Sequence, residues 1–155
     1  MADRVEVSID IEAPPIRIYE LVSDLPRMGE WSPECVKCEW RGGASGAVPG
    51  ARFKGYNRLG WRRWNTKGTV VAAEPGQELS FDIASVGGLP VARWTYLIEE
   101  AGEGRSRVTE RWDDKRGGLI KLLGRAATGI AERDEHNANG MRETLARIKE
   151  EAEAR

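Results

Sequence analysis

The chain has 155 residues, of which 24 are Lys or Arg and 25 are Asp or Glu, so its formal net charge is −1. A balance this close to neutral lacks the strong basic field that phosphate backbones require, which argues against nucleic acid as a partner. No stretch approaches the ~20 apolar residues that span a bilayer, and the first residues hold no apolar signal core. We therefore expect a cytoplasmic protein without stable membrane insertion, with residues 1–155 forming a single domain.

The chain opens with alternating residues that predict a half-buried strand over residues 4–11. Its apolar members are Val5, Val7, Ile9 and Ile11. Pro14 and Pro15 end this strand and favour a helix that begins directly afterwards. A second short helix is expected from Pro26 to Trp31, because Pro33 prevents its continuation. The sequence thus predicts a pair of short helices after the first strand.

Turn signals divide the next part of the chain into five or six further strands. These signals are Gly42-Gly43, Pro49-Gly50, Leu59-Gly60, Pro75-Gly76, Gly87 to Pro90, and Gly102 to Gly104. Short strands joined by tight turns predict an antiparallel meander. Within it, Phe81 alternates with polar neighbours, and Trp94 and Tyr96 share one parity of their strand, so one face of the sheet is apolar.

From Leu119 to about Ala152 the apolar period changes to 3.6 residues, which predicts one long amphipathic helix. The predicted apolar stripe contains Leu119, Leu123, Ala126, Ile130, Met141, Leu145, Ile148 and Ala152. The fold class expected from these elements is α+β, with a seven-stranded antiparallel sheet wrapped around this helix.

Several segments, in this order, resemble the START and polyketide cyclase-like (SRPBCC, Bet v 1-like) superfamily, in its actinobacterial-type polyketide cyclase/dehydrase branch. They are Ala13-Pro14, Met28 to Glu34, Gly60 to Trp64, Val70 to Gly76, Ala92 to Trp94, Val108 to Trp112, His136-Asn137 and Gly140 to Leu145. The resemblance covers nearly the whole chain. It implies the helix-grip fold and a cavity between the sheet and the long helix, in a superfamily that contains lipid carriers, hormone receptors and aromatase/cyclases.

Glu110 is the first polar residue that the pattern places inside. It lies between Val108 and Trp112 on the apolar parity of the last strand, so its carboxylate is expected to point inward. Buried acids are rare unless they are paired or hydrogen-bonded. Glu110 therefore either holds the fold together, with Arg62 or Arg93 as candidate partners, or it faces a ligand.

Asp134 and Asn137 interrupt the apolar stripe of the long helix between Ile130 and Met141. At helical spacing both lie within about 40° of the centre of the stripe. Either the helix bows outward there and solvates them, or they supply the few convergent polar groups that orient a small molecule in a pocket. His136 lies toward the flank, where a lone histidine is more typical of a surface than of a catalytic base.

The hairpin around Trp61 and Trp64 contains Arg62, which shares the inward parity of Trp64 and is a candidate pocket cation. The resemblance implies, for aromatase/cyclases, a cavity arginine and a cavity tyrosine. The position nearest that arginine here is Trp61 or Arg62, and the corresponding tyrosine region, residues 34–36, holds no phenol. The catalytic candidates are therefore Glu110, Asp134 and Arg62, since a carboxyl in an apolar pocket has its pKa raised toward neutrality.

Cys35 and Cys38 form the only CxxC motif, at the start of a strand-like run. A regular strand would point the two thiols to opposite faces, and a redox motif is expected at a helix N-terminus instead. One histidine and no second cysteine pair argue against zinc. We expect reduced structural thiols, no metal and no cofactor.

Three functions remain open from the sequence. The first is binding or transport of a small hydrophobic ligand, such as a lipid, quinone or polyketide-like molecule; the second is a polyketide aromatase/cyclase or dehydratase; the third is a protein-interaction module related to ubiquinone-binding or ribosome-associated relatives. The pattern favours binding without catalysis and leaves the oligomeric state, monomer or dimer, undetermined. The predicted ligand-binding residues are Trp64, Phe81, Trp94, Tyr96, Glu110, Trp112, Asp134, Asn137 and Met141.

Overall fold

The strands and helices follow the predicted order. The structure, a computed structural model, describes residues 4–85, 87–118, 121 and 133–154. The strands are β1 (Arg4–Ile11), β2 (Cys35–Arg41), β3 (Arg52–Leu59), β4 (Arg62–Glu74), β5 (Glu78–Ala84), β6 (Pro90–Glu100) and β7 (Ser106–Asp114). The helices are α1 (Pro15–Ser23), a 3₁₀ helix (Leu25–Glu30) and α2 (Arg133–Glu153). The helix pair after the first strand is confirmed.

All seven strands belong to one antiparallel sheet with the order β1-β7-β6-β5-β4-β3-β2. Strands β2 to β7 form the predicted meander, and β1 closes the far side by pairing with β7. The register of β1 places Ile9 opposite Val108 and Val7 opposite Glu110. The predicted seven-stranded antiparallel sheet is confirmed.

The sheet bends strongly, and irregular pairing contributes to the bend. The register shifts between Cys35 and Lys37, between Val70 and Ala72, and again near Ala84. Such bulges increase the local twist and bend of the strand that carries them. As a result Cys35, on edge strand β2, lies close enough to Tyr96, on β6, to affect the pKa of its phenol.

The inner face of the sheet is covered by α2, which packs against β1, β7 and α1. The buried stripe of α2 contains Met141, Leu145, Ile148 and Ala152, as predicted. The first half of the predicted helix, from Leu119 to Ile130, lies outside the described residues apart from Lys121. The C-terminal half is confirmed as Arg133–Glu153.

The two cysteines are free and buried, as expected for structural thiols, but the prediction that they point to opposite faces is wrong. Cys35 and Cys38 are both buried on the same side of β2, close enough for each thiol to affect the pKa of the other. The bulge between Cys35 and Lys37 is the cause, because it adds one residue and reverses the side-chain alternation between the two cysteines. The Cys35 thiol also donates to the Lys37 carbonyl at 3.3 Å.

Candidate functional site

The predicted site residues fall into two groups by burial. Six of them are buried: Phe81, Tyr96, Glu110, Trp112, Asn137 and Met141. The other four, Arg62, Trp64, Trp94 and Asp134, are half-buried. The alternation along β4 places Arg62 and Trp64 on the same face as buried Val70, as their parity predicts.

Glu110 occupies the middle of the buried face of β7. It lies between Val108 and Trp112 along the strand, and only 3% of its surface is exposed to solvent. Met141 of α2 packs in the same apolar cluster as Trp112, which places Glu110 on the face of the sheet that α2 covers. Its Oε1 atom is shielded from solvent and has no hydrogen-bond partner within the part of the chain that the structure describes.

Tyr96 lies directly across from Glu110 in the β6–β7 register. Burial raises the pKa of Glu110 to about 8, and a side-chain hydrogen bond with Tyr96 partly opposes this rise. Burial, together with the charge of Glu110, raises the pKa of Tyr96 well above its usual value near 10. At neutral pH the pair is therefore a carboxylic acid beside a phenol, both uncharged.

The residue paired with Glu110 is the phenol of Tyr96 and not one of the arginines, Arg62 or Arg93, that the sequence suggested. Arg93 is held by Asp82 instead, at 2.6 Å and 3.0 Å, on the other face of β6. Arg62 lies over the indole of Trp61, with 4.5 Å from the guanidinium carbon to the ring centroid. For Arg93 the physical reason is strand parity, because Arg93 alternates with the inward Trp94 and so points away from Glu110.

Residues 34–36 hold no phenol, and the phenol opposite Glu110 belongs to β6. A signal for it existed in the sequence, since Tyr96 shares the inward parity of Trp94 and Ile98. The tight turn at 101–105 fixes the hairpin register so that Glu100 faces Ser106, and the same register brings Tyr96 opposite Glu110. The register of the two strands, rather than parity alone, pairs the acid with the phenol.

The helix contributes Asn137 to the same interior. Asn137 is 6% exposed and lies one turn before Met141, whereas Asp134 is half-buried at the edge of the stripe. The Oδ1 atom of Asn137 accepts from Arg133 at 3.5 Å. Of the two polar residues that interrupt the stripe, Asn137 is the one buried beneath the helix.

A polar cluster that sequence reasoning missed joins the start of β2 to α2. Arg133 donates to both carboxylate oxygens of Glu34, at 2.9 Å and 3.1 Å, and Nε2 of His136 lies 3.1 Å from Glu34 Oε2. Burial favours a raised pKa for Glu34, but the hydrogen bond with His136 and the charge of Arg133 outweigh it and leave the pKa below its usual value. His136 therefore ties the edge of the sheet to the helix.

A second missed cluster lies at the end of β7. The Asp114 side chain is 3% exposed and accepts from Arg116 at 2.9 Å, with Lys121 Nζ at 3.6 Å. Burial tends to raise the pKa of Asp114, but the Arg116 hydrogen bonds lower it overall. The Arg116 guanidinium also lies over the Trp112 ring at 5.6 Å, so two cations and one carboxylate meet beside the buried tryptophan.

The described residues were also compared with the requirements of a metal site, a membrane-spanning helix and a surface pocket. In those ranges, no group of three or more His, Cys, Asp and Glu side chains is arranged to hold a metal ion. No described helix has the length and apolar character needed to cross a bilayer. A surface groove of about 360 Å³ lies between Trp31 and Arg147 and is otherwise lined by the acidic residues Glu30, Glu150 and Glu151.

Comparison with known proteins agrees with this geometry. Residues 2–153 match the family described as "Polyketide cyclase / dehydrase and lipid transport". The solution structure of the Polyketide_cyc-like protein Cgl2372 from Corynebacterium glutamicum is 34% identical, with a TM-score of 0.64, and the match covers 96% of this chain and 90% of that one. No match was found among curated proteins.

Two more distant structures share the fold alone. Protein CV1439 from Chromobacterium violaceum is 16% identical with a TM-score of 0.73, and the match covers the whole of both chains. The di-domain ARO/CYC BexL from the BE-7585A biosynthetic pathway is 19% identical with a TM-score of 0.68; the match covers 98% of this chain and half of BexL. On the family match and the 34% identity to Cgl2372, this chain belongs to the polyketide cyclase/dehydrase and lipid transport family.

Proposed function

We propose that this protein binds a small, mostly apolar molecule between the inner face of its sheet and the helical segment that covers it. The observation that carries this proposal is the Oε1 atom of Glu110, which is buried without a hydrogen-bond partner in the described structure. A buried polar atom without a partner is costly, and native structures retain such atoms mainly for a function. A ligand that bonds to Oε1 removes this cost.

The surroundings support an apolar ligand. The buried aromatic residues Phe81, Tyr96 and Trp112 lie on the same face as Glu110. Apolar walls with a few convergent polar groups are typical of small-molecule sites. Asn137 supplies a second polar group from the helix side.

An interaction module finds less support. Within the described ranges, the large apolar residues that are exposed come from six separate segments of the chain. They are Ile16, Val36, Val48, Trp61, Val71 and Leu89. Scattered exposed apolar residues are ordinary on a protein surface.

The test is a titration with a chemically broad panel of fatty acids, quinones, sterols and polycyclic aromatics, followed by tryptophan fluorescence. Trp94 and Trp112 are expected to report on occupancy, with at least one saturable quench at micromolar concentration, about 8 kcal/mol of binding free energy. Trp61 is 82% exposed, so Trp61→Phe should keep the response while it removes surface signal. Silence across the whole panel would reject an interior ligand site.

Proton-transfer catalysis is the second candidate, and the neutral acid of Glu110 is the observation that favours it. A general acid works best when its pKa lies near the working pH, and that of Glu110 is about 8. NMR of 1-tetralone with the protein in D₂O distinguishes binding alone from proton-transfer catalysis, because it measures how fast the α-protons of the ketone exchange for deuterium. Binding alone leaves the exchange of its α-protons at the solvent rate, whereas catalysis accelerates exchange and loses that acceleration in Glu110→Gln.

A further inference from the structure

We propose that Glu110 and Tyr96 select the ligand by its polar group, binding an uncharged carbonyl oxygen in preference to a hydrocarbon or a carboxylate. This inference rests on the proposed function, since it names the chemical class of molecule that the interior site takes. It follows from the geometry of the acid–phenol pair and from the charges around it.

The first step concerns the direction of the hydrogen bonds. Tyr96 lies opposite Glu110 in the register of the two strands, and Oε1 is a buried carboxyl oxygen without a partner in the described structure. A neutral carboxylic acid carries one O–H donor and one carbonyl-type oxygen, and a neighbouring phenol donates to the second of these. With the acid proton on Oε1, the carboxyl group has a buried donor that lacks an acceptor, and a ligand carbonyl oxygen supplies one.

The second step concerns charge. Among the described residues, Val7 of β1 and Tyr96 of β6 lie opposite Glu110, and α2 contributes the buried, uncharged Asn137 and Met141, with Asp134 half-buried on the same helix. Cys35 of β2 also lies close enough to Tyr96 to affect the pKa of its phenol. None of these is a cation. An anionic head group placed at Oε1 would be buried without a counter-ion, which is strongly unfavourable.

The described cations on this side of the sheet include Arg133 of α2, which is held by Glu34, and the two cations of the Asp114 cluster. Asp114 lies four residues along the strand from Glu110, about 13 Å at the usual rise of a strand. Arg116 and Lys121 are held there by the Asp114 carboxylate. Arg116 and Lys121 would therefore bind an anionic group at the end of β7, whereas Glu110 would bind a carbonyl group further along the strand. Ligands that carry one group or the other distinguish the two positions.

The experiment uses three probes of nearly the same shape: 9-fluorenone, fluorene and fluorene-9-carboxylate. Equilibrium dialysis at pH 6.5 gives their affinities for the full chain. We expect fluorenone to bind about five to ten times more tightly than fluorene, the effect of one buried hydrogen bond, and the carboxylate to bind at least ten times more weakly than fluorenone.

Variants of Glu110 test whether the acid–phenol pair causes the preference for fluorenone over fluorene. Glu110→Met keeps the side-chain length but removes the hydrogen-bonding group, so the fluorenone to fluorene ratio should fall to about one while fluorene affinity stays within about twofold. Glu110→Gln keeps a donor through its amide and should retain most of the ratio. If Glu110→Met does not fold, the same ratio in wild type at pH 9.5 replaces it, because ionised Glu110 can only accept, and the ketone preference should vanish there.

Three results overturn the inference, and they differ from a failure of the proposed function. Equal affinities for fluorenone and fluorene in wild type would leave interior binding intact but reject the carbonyl preference. A ratio that survives in Glu110→Met would assign the preference elsewhere. If fluorene-9-carboxylate binds most tightly of the three probes, the polar group of the ligand lies at Arg116 and Lys121 and not at Glu110. Failure of all three probes together with the broad panel would reject the ligand site itself.

Discussion

Replacement of Glu110 by glutamine should make the protein more stable at neutral pH, even though it alters a buried residue. Glutamine keeps the length of the side chain and an oxygen that can accept from Tyr96, but it cannot ionise. The wild-type acid has a pKa of about 8 in the folded state, against an ordinary value of 4.5. Because this pKa is raised on folding, the folded state holds a proton that the unfolded state releases.

The sign and size of the effect follow from this difference. The contribution of Glu110 to stability is fully present below pH 4.5 and is lost as the pH rises toward about 8, at about 1.4 kcal/mol for each pH unit. At pH 7 the loss amounts to about 3 kcal/mol. Above the folded pKa it stops growing, because Glu110 is then ionised in both states.

Denaturant unfolding of wild type and Glu110→Gln from pH 5 to pH 9 provides the assay. The difference in unfolding free energy between the two proteins should rise with pH in favour of glutamine and level off near pH 8. Glu99→Gln removes an exposed carboxylate from the neighbouring strand and should run parallel to the wild type. A difference curve that is flat across this range would refute the reasoning that Glu110 is buried as a neutral acid.

Three further predictions test other parts of the structure. Glu34→Gln should lower stability by about 1–3 kcal/mol at pH 7 and by less at pH 3, because the contribution of Glu34 declines as the pH falls from 4.5 toward its lowered pKa; an equal loss at both pH values would contradict this. Gly68→Ala should cost about 2 kcal/mol or more in denaturant unfolding, since its new Cβ would lie 2.1 Å from a phenylalanine ring, whereas Gly46→Ala, with open space around it, should be nearly neutral. Cys35 and Cys38 should react with a thiol reagent only on unfolding, and rapid labelling of both thiols in the native protein would show that they are not buried.

The fold was predictable because its signals are periodic. The alternation in β1 and the 3.6-residue period before Ala152 each bury one face, and the turn residues between strands mark where the chain reverses. An inward position for Glu110 followed from the same parity. Its burial shows that the apolar period of a strand can place even a carboxylate correctly when the residues two positions away on each side, Val108 and Trp112, are apolar.

The contacts that define the site were harder to foresee, because they depend on features without a local signal. The bulge near Cys35 reverses the alternation, and a one-residue shift of this kind is not visible in the composition of the strand. The cluster of Glu34, Arg133 and His136 joins residues about a hundred positions apart, and only the curvature of the sheet brings them together. Tyr96 was assigned to the pocket, but its role as the partner of Glu110 required the pairing register of two strands.

A crystal structure of the protein with 9-fluorenone tests the central claim most directly. The account predicts electron density for the ketone beneath α2, with its oxygen within about 3.2 Å of Glu110 Oε1 and its rings against Trp112. Fluorenone bound only in the surface groove beside Trp31 and Arg147, with Glu110 Oε1 still unpartnered, would contradict it.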